Sequence, residues 1–82
     1  MKLYIISIED VYEGSSEHKV PIVKTSIEDA RQKLTELYND AVKLYGEQFD
    51  SFDKTDDYFE MFVMGYYCLN HYSAVIDEVE VD

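Results

Sequence analysis

Cysteine is nearly missing from this 82-residue chain. The single Cys68 cannot form an internal disulfide, so a reducing compartment is expected. Tryptophan is absent, proline occurs once and glycine three times, which excludes collagen-like and Gly/Pro-rich disordered classes. No uninterrupted apolar run exceeds four residues, as in Met61-Phe62-Val63-Met64. A membrane-spanning helix needs roughly 20. The stretch between Lys2 and Glu9 is too short for the apolar segment of a secretory signal, so a cytoplasmic location is expected. Basic residues are also few, seven against 18 acids, for a net charge of -11. Nucleic-acid and anionic-membrane binders use cationic surface, and that balance argues against both.

What the chain does have is apolar and aromatic material: 46% hydrophobic residues, with eight tyrosines and four phenylalanines. That suffices for one domain, residues 1–82, around one modest core. Residues 2–12 are β-branched and aromatic, with Tyr4, Ile6 and Ile8 on one face at period two and Leu3 and Ile5 on the other. A strand apolar on both faces belongs inside its sheet. Gly14 and its serine neighbours predict a turn into a second strand over 18–24, with Val20 and Ile22 on one face and an irregularity at Pro21. Ser26-Ile27-Glu28-Asp29 carries a helix start signal. Ile27, Ala30, Leu34, Leu37, Ala41 and Leu44 then recur at helical spacing as far as Gly46. The acid-rich segment 47–57 reads as an exposed loop pinned by Phe49 and Phe52. Residues 58–64 fit either a strand or a short helix, residues 65–70 a turn or bulge, and His71 to Val81 a last strand. The fold class is therefore α+β: an antiparallel sheet of about four strands in the order β-β-α-β-β, with one amphipathic helix on one face.

Chemistry-bearing motifs are sparse. Cys68-x-x-His71 is a lone pair, and with His18 gives three Cys or His side chains where a structural zinc site wants four. No oriented base or oxyanion donors accompany Cys68, no glycine-rich phosphate loop exists, and Asp50, Asp53, Asp56 and Asp57 lack the EF-hand spacing. No enzyme activity, metal or cofactor is expected. Tyrosine is concentrated at Tyr58, Tyr66, Tyr67 and Tyr72, either as half-buried strand residues or as an interface, where tyrosine gives large contact area at low entropic cost. Residues 47–60 hold six acids and one base, and 77–82 hold four acids and no base. On a strand, Glu78, Glu80 and Asp82 would share a face at intervals of about 6.8 Å, near the spacing of successive phosphates. Such a row suits a Lys/Arg-lined groove, and the plain alternative is a solubilising surface.

In size, acidity and layout the chain resembles the small uncharacterised acidic proteins of gut bacteria and their phages. Gly65-Tyr66-Tyr67-Cys68-Leu69-Asn70-His71, Val75-Ile76-Asp77-Glu78-Val79-Glu80-Val81 and Glu9-Asp10-Val11-Tyr12-Glu13-Gly14 are the segments that carry this likeness. In general character it is similar to phage-encoded anti-defence inhibitors, the anti-CRISPR and anti-restriction proteins, which implies a protein target and no catalysis. The function expected is a non-enzymatic acidic interaction module that occupies the basic, nucleic-acid-binding surface of a partner protein. Glu78, Glu80, Asp82, Asp53, Asp56, Asp57, Tyr58, Tyr66 and Tyr67 are the candidate contacts. Two alternatives stay open: a small-ligand or metal-binding domain with a pocket near Tyr66, Cys68 and His71, and a structural homodimer pairing through its sheet.

Overall fold

A computed structural model describes residues 1–12, 15–63 and 70–81. Six strands and one long helix follow in the order β1 (Lys2–Tyr12), β2 (Ser15–His18), β3 (Ile22–Lys24), α1 (Ile27–Tyr45), β4 (Ser51–Lys54), β5 (Tyr58–Phe62) and β6 (His71–Glu80). A short 3-10 turn, Gly46–Gln48, links α1 to β4. All pairings are antiparallel, in the order β2-β1-β6-β5-β4, with β3 also on β1. The α+β class is as expected, with six strands in place of about four.

The two apolar-rich long strands lie at the centre. β1 and β6 pair over ten residues, from Lys2 opposite Glu80 to Val11 opposite His71, and this ladder sets the long axis of a 45 × 21 × 17 Å molecule. The first extra strand comes from Pro21. Lys19 N–H donates to Ile8 O at 3.2 Å, and Ile22 already faces Ile6. Val20 and Pro21 thus stand opposite the single Ser7, an extra residue that separates β3 from β2. β2 itself starts at Ser15, within the segment expected as a turn, so the strand expected over 18–24 forms only at His18 and Ile22–Lys24. Proline has no N–H to give to the ladder, and Val20, expected beside Ile22, is turned out to 86% exposure. The second extra strand corrects the loop expected over 47–57. Ser51–Lys54 pairs with Tyr58–Phe62 as a hairpin, because the main-chain ladder tolerates acidic side chains that point to water. Its turn is tied by Thr55, whose N–H donates to Tyr58 O at 2.8 Å and whose Oγ1 accepts from the N–H groups of Asp57 and Tyr58. Residues 58–62 are a strand, with Phe59 and Met61 buried and Tyr58, Glu60 and Phe62 half-buried at period two. The turn and bulge readings at Gly14 and over 65–69 lie outside the described residues.

Helix α1 begins as the sequence predicts. Ser26 is extended at φ -131° and its Oγ accepts from Asp29 N–H at 3.1 Å, with Glu28 and Asp29 in the first turn and Lys43 in the last. Ala30, Leu34 and Ala41 are buried, and Leu37 and Tyr38 pack partly. Alanines above and below Leu34 let the helix settle close on Ile6, Ile8, Phe59, Met61, Tyr72 and Ala74, which with them form the core. Leu44, expected in the apolar stripe, is exposed instead. At about 100° per residue it lies roughly 80° around the axis from Leu34, at the margin of the contact. Phe59 occupies the centre: Tyr38 meets it edge-on at 5.3 Å and Tyr72 stacks on it at 5.8 Å.

Candidate interaction face and cleft

One helix covers one face of the sheet, and the register fixes what the other face presents. Directly opposed residues share a face, so Leu3 and Val79, Ile5 and Val23, Ser7 and Val75, and Val11, His71 and Phe62 all look away from α1. One polar row crosses five strands: His18, Glu9, Ser73, Glu60 and Asp53. Asp77, opposite Ile5, adds a fourth carboxylate to this face. The lysines within the strands fall on the helix side: Lys2 opposite Glu80, Lys24 opposite Tyr4, Lys54 opposite Phe59. Among the described strand residues, the open face therefore carries Glu9, Asp53, Glu60 and Asp77 with no lysine or arginine.

Asp53 and Glu60 are cross-strand neighbours, an arrangement that ordinarily destabilises a sheet. Each has its own donor. Tyr58 Oη donates to Asp53 Oδ2 at 2.8 Å, which with burial and nearby charge raises the Tyr58 pKa. His71 Nε2 lies 3.3 Å from Glu60 Oε2, and His18 Nδ1 lies 3.9 Å from Glu9 Oε2. Ser73 neighbours His71 on the same face, but no hydrogen bond joins them, so the imidazole and carboxylate have no aligned nucleophile among the described residues. Val23, Val75 and Val79 supply exposed apolar area between the acids.

The acids singled out from the sequence divide between the two faces. Asp53 and Tyr58 sit on the open face as partners. Glu78 and Glu80 do share a face at the end of β6, on the helix side, and both are paired: Glu78 with Lys2 at 3.5 Å, Glu80 with the Met1 amino group at 3.3 Å. Asp57 is held by Arg31, whose Nε donates to Oδ1 at 2.9 Å and whose pKa is raised first by that hydrogen bond. Asp56 is exposed in the β4–β5 turn. Asp82, Tyr66, Tyr67 and Cys68 lie outside the described residues. Sequence reasoning missed Glu9, Glu60 and Asp77. Their signal was parity, since each occupies the strand position that alternates away from the apolar face packed on α1.

On the helix side a cleft of about 310 Å³ opens between the end of α1 and the strands. Asp10, Tyr45, Gln48, Phe49, Asn70 and Tyr72 line it. Of the residues expected to form a pocket, Tyr66 and Cys68 lie outside the described residues and His71 alternates to the face opposite this cleft. Asp10 and Tyr72 are cross-strand partners, and Tyr45 tilts over Tyr72 with centroids 6.2 Å apart. Burial first, then the charge of Asp10, raises the Tyr72 pKa and keeps its hydroxyl protonated at neutral pH. Among the described residues no group of three or more His, Cys, Asp and Glu side chains could hold a metal, and no helix is long and apolar enough to cross a membrane. Among the described residues the geometry thus defines an α+β protein with one long helix on one face of an antiparallel sheet and an acidic face that this helix leaves uncovered. Compared with family models, curated proteins and solved structures, the chain matches none.

Proposed function

We propose that this chain is a non-enzymatic interaction module that binds a basic protein partner through its uncovered sheet face. The observation that carries the reading is the one-signed charge of that face, which among the described strand residues holds four carboxylates and no lysine or arginine between apolar side chains. Tolerating Asp53 directly opposite Glu60 costs stability in isolation, and a cationic partner would turn that cost into attraction. Exposed valines around the acids supply the apolar contact from which an interface gains affinity, and the charges supply speed and selectivity. Self-association by stacking two such faces is opposed by like charge. In its most specific form the partner is a nucleic-acid-handling protein whose Lys/Arg groove the acidic face occupies, in the manner of phage anti-defence inhibitors.

The test compares three double charge reversals: Glu9→Lys with Glu60→Lys on the open face, Glu78→Lys with Glu80→Lys on the helix side, and Glu36→Lys with Asp40→Lys on α1. A partner captured by the wild type is purified and its association rate measured over a range of salt. The open-face variant should lose at least about tenfold in on-rate and flatten the salt dependence, with the other two milder. Equal losses in all three would mean that only net charge counts, and an unaffected open-face variant would remove the reading.

A further inference from the structure

We propose that the cleft at the C-terminal end of α1 binds a small organic ammonium ion, seated against the rings of Tyr45, Phe49 and Tyr72 with its charge facing Asp10. Its volume of about 310 Å³ lies at the lower end of the roughly 300–1,000 Å³ typical of small-molecule sites. Three features select a cation. Asp10 projects from β1 into the cleft, makes no ion pair with another described residue, and has a second acid, Glu17, as its cross-strand neighbour on β2. Tyr45 is the last residue of α1, so the negative dipole end of a 19-residue helix lies beside it. Asp40 adds to the negative potential felt at the Tyr72 hydroxyl. An anion would meet repulsion from each of these groups.

Two further features select an organic cation over a metal ion. A hard metal ion needs several oxygen ligands, and among the described residues the cleft offers one carboxylate. It offers aromatic surface instead. Tyr45 and Tyr72 meet at 34° between ring planes, an angled wall that Phe49 extends, and such walls attract alkylammonium groups through the ring quadrupole. Tyr72 is 8% exposed, so its ring is fixed in the core where it lines the cleft.

The experiment uses the full chain and two probes of the same shape, choline and its uncharged isostere 3,3-dimethylbutan-1-ol. Ring resonances of Tyr45 and Tyr72 are followed by NMR at constant ionic strength. Choline should produce saturable shifts confined to the cleft, and the isostere should bind at least about tenfold more weakly, the factor of one lost charge contact. Asp10→Asn should weaken choline by a similar factor, and Glu9→Gln, which removes the same charge on the opposite face, should leave it unchanged. Tyr45→Leu should weaken choline more than the isostere, with thermal melting confirming the fold of each variant. Equal binding of the two probes, non-saturating shifts, or equal effects of Asp10→Asn and Glu9→Gln would overturn the proposal.

Discussion

Replacing Phe59 is the sharpest probe of the packing. Its ring is fully buried, with Tyr38 edge-on at 5.3 Å and 71° and Tyr72 stacked at 5.8 Å and 17°. Truncation to alanine removes the central side chain of the core, a change that costs about 3 to 5 kcal/mol. A chain of 82 residues holds roughly 4 to 12 kcal/mol in total at about 0.05 to 0.15 per residue, so Phe59→Ala should be marginal or unfolded. Phe59→Leu keeps most of the volume and loses chiefly the two ring contacts, at about 0.5 to 1.5 kcal/mol each. It should therefore cost about 1 to 3 kcal/mol, a fall in Tm of roughly 4 to 24 °C at about 4 to 8 °C per kcal/mol. Urea unfolding followed by far-ultraviolet circular dichroism and by tyrosine fluorescence gives the midpoint, and agreement of the two probes tests two-state behaviour. A cost below about 0.5 kcal/mol for Phe59→Leu would show that the rings contribute only bulk.

Other perturbations have equally definite expectations. Leu34→Ala should cost about 2 to 5 kcal/mol in the same unfolding assay, because Leu34 is fully buried between the two alanines of α1. Ser26→Ala removes the bond to Asp29 N–H and should cost about 1 kcal/mol, read from the urea midpoint. Tyr72 has a folded pKa above its unfolded value, so its contribution is complete below about pH 10 and is lost as pH rises through the folded pKa. Tyr72→Phe should abolish that share of the alkaline decline in Tm, and an identical decline in the variant would refute the assignment. Raising salt from about 10 to about 150 mM shortens the Debye length from roughly 30 to 8 Å and should raise Tm, since net repulsion at -11 outweighs exposed ion pairs such as Lys2 with Glu78. An unchanged or falling Tm would mean that the acids are compensated in the fold.

Local signals carried much of the architecture. The alternation of Tyr4, Ile6 and Ile8, the cap at Ser26 and the spacing of Ala30, Leu34 and Ala41 each point to the element that forms, because each buries side chains at its own period. Segment 51–54 did not announce itself: Phe52 is exposed, and the strand exists because β5, the next segment of the hairpin, offers it a main-chain ladder that no side-chain alternation in 51–54 records. The sequence suggested an acidic surface, but linear clustering favoured Glu78, Glu80 and Asp57. Which acids are neutralised depends on cross-strand and helix-to-sheet neighbours, Lys2, Met1 and Arg31, that only the fold supplies. Glu9, Glu60 and Asp53 are scattered along the chain and become one row only when five strands align.

The break at Val20 and Pro21 also governs how this protein meets others of its kind. Sheets polymerise when an outer strand offers a long, regular series of free N–H and C=O groups to a neighbouring molecule. On one side that series is interrupted between β2 and β3, where the extra residue distorts the ladder and proline withholds a donor. The other outer strand, β4, is four residues long, and Asp53 and Lys54 place charge on both of its faces. Neither border templates a further strand, so the chain can carry exposed valines on its open face without inviting edge-to-edge growth into fibres.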